Sequence, residues 1–156
     1  MRAQFYTSNL MGGSEQSLAA TFKSLVTLTC PATTTDAEIY QGVAGASGAP
    51  NATDCSIQLH FAKQTAVGTS TSATPVAYDG SKRAAAIIGA VNYTAEGTIT
   101  ANTQYQWSIN QRQSWQNYFW QGDELVIPAT SAAGWAFRAA SATYASTVDA
   151  VISHRE

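Results

Sequence analysis

Polar and apolar side chains alternate with period two over several short stretches, as in strands whose successive side chains face opposite sides of a sheet. Over residues 54–62, Cys55, Ile57, Leu59 and Phe61 fall on one face, with Ser56, Gln58 and His60 on the other. Residues 104–110 repeat the pattern, with Tyr105, Trp107 and Ile109 set against Gln104, Gln106, Ser108 and Asn110. The final stretch sets Val148, Ala150 and Ile152 against Asp149, Val151 and Ser153. Further strands are predicted over 4–8, 20–29, 37–41, 87–93, 113–119, 124–127 and 135–142, which makes about ten. Between them lie spacers at 42–53, 65–77 and 94–103, the first two punctuated by Gly and Pro and the second rich in Ser and Thr. Strands at this spacing, with nothing of helical period between them, predict an all-β sandwich or barrel and exclude an α/β fold. The one helix candidate, 81–88 with Ala84, Ala85 and Ala86, reads equally as a loop leading into the strand at Ile87.

A chain of 156 residues fits one domain, so residues 1–156 are expected to form a single sandwich that needs neither metal nor disulfide to fold. Its opening is read in two ways. Phe5 and Tyr6 precede Gly12-Gly13, so residues 1–13 are either an extended arm that adds a strand to a neighbouring subunit's sheet or an edge strand of the chain itself. Cys55 shares the apolar face of its strand, and both it and Cys30 are read as reduced core thiols in preference to a bridge.

Composition adds the assembly argument. Only 12% of the residues are charged, against about 25% in an ordinary soluble domain. Charge is costly to bury in an interface, whereas Ser, Thr, Gln and Asn are desolvated more cheaply, so the composition fits a β protein that packs against other chains. The net charge is −2 and the eight Lys and Arg are scattered, which argues against binding nucleic acid through its phosphates. No stretch approaches the roughly 20 apolar residues of a membrane helix, and residues 1–13 contain no apolar run of signal-peptide length, so the chain is expected to stay in a cytoplasm until it assembles.

Candidate chemistry is sparse. His60 and His154 are the only histidines; one is assigned to the polar face of its strand and the other to a charged tail, both satisfied or facing solvent. The motifs of a nucleophile elbow, a zinc protease, a Cys-x-x-Cys redox pair and a phosphate-binding loop are all missing. Asp123 and Glu124 are adjacent, and neighbours on a strand point to opposite faces, so they read as a solvated turn and not as a calcium or acid/base pair. No catalytic, cofactor-binding or metal-binding residue is therefore predicted, and the chain is expected not to be an enzyme.

The densest aromatic stretch is Trp115, Tyr118, Phe119 and Trp120. Trp115 and Phe119 take one strand face and Tyr118 and Trp120 the other. Either a loop covers the second face, or Tyr118 or Trp120 is an interface anchor or a platform for stacking sugars.

Several of these elements together resemble the small jelly-roll cement or decoration proteins of tailed-bacteriophage capsids. They are the opening strand at 4–8, the strand Ser56-Ile57-Gln58-Leu59-His60-Phe61 with the Gly/Ser/Thr loop after it, Thr74-Pro75, Ala84-Ala85-Ala86, Asn92-Tyr93-Thr94, the Trp107 strand and the closing strand ending in Glu156. The resemblance implies an antiparallel jelly-roll-like sandwich of about eight to ten strands and a non-enzymatic homo-oligomer, with a trimer favoured. That oligomer would sit on the outside of a virion and bridge major capsid subunits. Its expected contact residues are Arg2, Phe5, Tyr6 and Leu10 of the arm with Trp115, Tyr118 and Trp120, and it needs no nucleic acid, membrane or cofactor. A different class of function, a carbohydrate- or receptor-binding module of a tail or fibre, uses the same aromatics as a stacking platform.

Overall fold

The computed structural model describes residues 5–10, 15–31, 35–80 and 83–156, without the side chains of 8–10 and 101–104. Strands and their connections make up all of it. They are β1 (Phe5–Leu10), β2 (Gln16–Ser17), β3 (Lys23–Thr29), β4 (Ala37–Ala46), β5 (Ser56–Ala66), β6 (Thr69–Ala73) and β7 (Val76–Ala77). The remainder are β8 (Ile88–Ala95), β9 (Thr98–Asn110), β10 (Ser114–Tyr118), β11 (Leu125–Ile127), β12 (Gly134–Ala140) and β13 (Thr147–Arg155).

These form two antiparallel sheets. The first runs β10-β4-β13-β1-β7, with β11 also on β4 and β2 also on β13; the second runs β6-β8-β3-β12-β5-β9. If β1, β3, β4, β5, β9, β10 with β11, β12 and β13 are counted as successive strands one to eight, the sheets read 1-8-3-6 and 2-7-4-5. That is the interleaved Greek-key order of a jelly roll. The strands between β5 and β9 are an insertion: β8 and β6 widen the second sheet beyond β3, and β7 borders β1 in the first.

The core lies between the sheets, where the predicted apolar faces of β5 and β13 meet those of β3, β4 and β12. Ile57, Leu59, Phe61, Val148, Ala150 and Ile152 are buried there. Phe61 is the hub, stacked on Phe137 at 4.3 Å and edge-on to Phe119 at 5.7 Å and Trp107 at 6.4 Å. Gly42 sits inside β4 because a Cβ there would lie 2.8 Å from the Phe61 ring. Cys30 and Cys55 are buried and unbridged.

The second sheet curls at one end. Strand β5 passes to β6, and β8 to β9, through two residues each, although these strands stand near opposite margins of the sheet. The two connections touch, since a Cβ on Gly68 would collide with the backbone of residues 95–97 and one on Gly97 with the Ala66 carbonyl. Three register shifts between β5 and β9 after Phe61, and a positive φ of 52° at Asn92 in β8, supply the bend.

Two open readings resolve and one count changes. Residues 83–87 form no helix but a loop into β8, while 81 and 82 lie outside the described residues. Among the described residues the strands number thirteen against the ten or so expected, because the Ser/Thr spacer itself pairs as β6 and β7 and residues 16 and 17 pair as β2. Residues 5–10 are not an arm: β1 is hydrogen-bonded between β13 and β7 of its own sheet, with Phe5 opposite Arg155 and Tyr6 opposite Ala77.

Candidate functional site

The outer face of the first sheet carries the features an interface needs. Across it runs a row in which Tyr118 pairs with Gln41, Gln41 with Ser153, Ser153 with Thr7 and Thr7 with Val76. A second row sets Gln116 beside Val43 and Val43 beside Val151. No ionisable carboxyl, ammonium or guanidinium group stands in either row. Charge gathers at the ends of the face: Arg155 bonds Glu38 and, at 2.8 Å, Glu124 at one end, and Asp149 stands opposite Gly45 at the other.

Aromatic rings crowd this face. The Tyr78 amide bonds the Phe5 carbonyl at 3.0 Å, which lays Tyr78 over the sheet with its hydroxyl 2.9 Å from that of Ser153. Tyr40 meets Phe5 edge-on at 5.3 Å. Burial, and then the neighbouring Tyr78 hydroxyl, push the Tyr40 phenol well above its usual range, so it stays neutral. The Gln116 amide donates to the Tyr118 hydroxyl at 2.7 Å. Even so, Phe5, Tyr78, Tyr118 and Val76 remain 44%, 60%, 57% and 61% exposed, an unusual amount of adjacent apolar surface.

The predicted contact residues divide. Tyr118 is on this face, and Trp120, 82% exposed, heads a tight turn closed by the Asp123 amide on its carbonyl, with Gly122 at φ 98°. Phe5 is half-exposed at the face's rim beside Arg155. Trp115 is turned inward and packs on Trp107 at 4.6 Å and Phe137 at 5.5 Å, so it lies partly buried against the core and not on this face. Tyr6 is fully buried and stacks on His154 at 5.2 Å; it is no contact residue. Arg2 lies outside the described residues, as does the Leu10 side chain. Sequence reasoning missed Tyr40 and Tyr78. Tyr40 was within a predicted strand, but Tyr78 follows a polar spacer whose pairing gave no periodic signal.

Neither histidine faces solvent. His60 is on the outer face of the second sheet, yet Phe22, at 4.8 Å, and the cross-strand neighbour Arg138 cover it until it is 5% exposed. Both of its ring nitrogens lack a hydrogen-bond partner. His154 is in the first sheet, fully buried beside the equally buried Glu156 carboxylate at 3.4 Å, because it continues the inward alternation of Val148, Ala150 and Ile152 along β13. The two imidazoles thus stand in different sheets and share no cleft.

Burial, aided by the Arg138 charge, lowers the His60 pKa from 6.5 to about 4. The unfolded chain takes up this proton near pH 6.5 and the folded chain only near 4. Stability is therefore undiminished above the higher value and falls as pH drops through the interval, by at most about 3 kcal/mol. Urea unfolding at about pH 7 and about pH 4.5 should show this loss, and His60→Gln should remove most of it. An equal acid loss in both proteins would place the effect on other groups.

Among the described residues, no group of three or more His, Cys, Asp or Glu is gathered to hold a metal ion. Comparisons with protein-family models, with curated proteins and with solved structures return no match.

Proposed function

We propose that this chain is a structural virion protein, a cement or decoration subunit that binds the outer surface of a capsid and bridges major capsid subunits. In this reading it is a non-enzymatic homo-oligomer that joins the shell in the host cytoplasm. The observation that carries the reading is the outer face of the first sheet, uncharged across its middle and set with Tyr40, Tyr78, Tyr118 and Val76. Such a face is covered without stripping water from ions, and tyrosine supplies contact area at low entropic cost. Many copies on one shell multiply a modest contact into firm attachment. The jelly-roll strand order is consistent with this and does not by itself choose the function.

Shells of the encoding virus that lack this protein should take it up and melt at a higher temperature. Replacing Tyr78 and Tyr118 together by Ser should weaken uptake about ten-fold or more without changing the melting of the free protein. Shells that neither bind it nor gain stability would reject the proposal.

A carbohydrate- or receptor-binding module is the second reading, favoured by the neutral donors beside flat rings, such as the Gln116 amide on Tyr118. A glycan array separates the two. Binding there, abolished by the same Tyr78 and Tyr118 changes, would replace the capsid reading.

A further inference from the structure

The second sheet ends on an edge that the rest of the fold leaves open. Strand β9 is thirteen residues long and, among the described residues, pairs only with β5. Every other marginal strand is short: β6 and β10 have five residues, β11 three and β7 two. Proteins blunt their edges with short strands, charges, prolines or bulges, because an open row of N–H and C=O groups templates another strand. Strand β9 holds no charged residue and no proline in Thr98–Asn110. Its register shifts lie in the half that curls, while residues 105–110 pair with Ser56 to Phe61 in unbroken register.

The side chains along that regular half are incompletely covered. Tyr105, Trp107 and Ile109 point inward but are only partly buried. Tyr105 stacks on Trp107 at 5.8 Å, and Trp107 reaches Trp115 of β10, at the margin of the other sheet. An aromatic seam is thus left open on the flank of the sandwich between the two margins.

We infer that β9 pairs antiparallel, over residues 105–109, with β9 of a second copy of this chain, joining two second sheets into one continuous sheet. The occupant follows from the edge itself. Its backbone groups are complementary to their own two-fold copy, and the absence of charge means that no like charges meet. Directly opposite residues in an antiparallel pair share a face, so a register centred on Trp107 sets Tyr105 against Ile109 of the second copy and Gln106 against Ser108. Apolar side chains then cover apolar ones, and the partly exposed seam gains its missing wall. The pairing requires no shell and is a property of the isolated chain, so it stands or falls separately from the capsid reading. It also specifies a pair, where the resemblance favours a trimer.

Sedimentation and hydrogen exchange test it on the full chain. The protein should sediment at twice its chain mass, with slow exchange at alternate amides of residues 105–109, those whose N–H groups point away from β5. Gln106→Lys combined with Ser108→Lys places lysines opposite lysines across the pair while both side chains stay exposed in the monomer. This variant should sediment as a monomer, exchange rapidly at the same amides and keep the wild-type near-UV circular dichroism. Should that spectrum be lost, Gln106→Glu with Ser108→Glu makes the same test, and an equimolar mixture of the Lys and Glu variants should restore the doubled mass. A wild-type chain that stays monomeric at high concentration overturns the inference. So does an oligomer whose β9 amides all exchange freely, or one that survives the charged pairs.

Discussion

Phe61→Ala is expected to lower the unfolding free energy by about 3–5 kcal/mol, the range for deleting a buried phenylalanine ring from a core that cannot collapse around the gap. Collapse is hindered here because the neighbours are rigid rings held by two sheets. Phe137 lies flat on Phe61, while Phe119 and Trp107 present their edges. Urea denaturation followed by tryptophan fluorescence measures the loss directly, since Trp107 and Trp115 border the ring. A cost under about 1.5 kcal/mol would mean that the aromatic core refills, and the account of Phe61 as its hub would be wrong. Gly42→Ala in the same background supplies the control. The methyl group that Phe61 forbids in the wild type has room once the ring is gone, so the second change should be less damaging there than alone.

Glu156→Ala should cost about 2–4 kcal/mol. The carboxylate is buried and accepts the Ala86 and Ile87 amides at 2.9 Å, and it sits 3.4 Å from the His154 ring. Alanine leaves both amides without an acceptor, whereas Glu156→Gln keeps one oxygen and should recover part of the loss. Burial alone would raise this carboxyl, but the His154 imidazole and then the two amides outweigh it and hold the pKa below the usual 4.5. Its contribution is accordingly full above about 4.5 and disappears as pH falls through the lowered folded value. That window opens where the one in which His60 acts is closing. Acid titration of the wild type should show two successive losses, with Glu156→Gln abolishing only the more acidic one. A Glu156→Ala protein as stable as wild type would show that the latch onto the segment before β8 contributes nothing.

Strand faces were legible wherever one side of a strand meets the core and the other meets water. Alternation placed Ile57, Leu59 and Phe61, and likewise Val148, Ala150 and Ile152, on the buried side. Alternation fails where cover comes from elsewhere in the chain. His60 alternates onto the outer face as expected, yet Phe22 and Arg138 shield it there. His154 keeps the inward alternation of Val148, Ala150 and Ile152, but beside Arg155 and Glu156 it reads as part of a charged tail. Gly42 reads as loop punctuation although it lies within β4, because its reason is the Phe61 ring that fills the place of its Cβ. The Ser/Thr spacer hid β6 because polar residues on both faces leave no period to detect, and β7 because two residues are too few to show one. Within the candidate site, Tyr118 and Trp120 were visible as aromatics opposite a core face. Tyr78 was not, since its position over Ser153 depends on the short pairing of β7 with β1.

The strands inserted between β5 and β9 all gather on the side of the sandwich away from β9 and β10. They finish that side with β6, five residues of Ser, Thr and Ala, and with β7, two residues directly after Pro75. Through its sheet edges, a particle adherent along one border and dulled along the other would accept a single neighbour. The edge pairing inferred for β9 would therefore close on one second copy instead of polymerising into fibrils, although this molecule carries a long, bare, uncharged strand that would otherwise seed them.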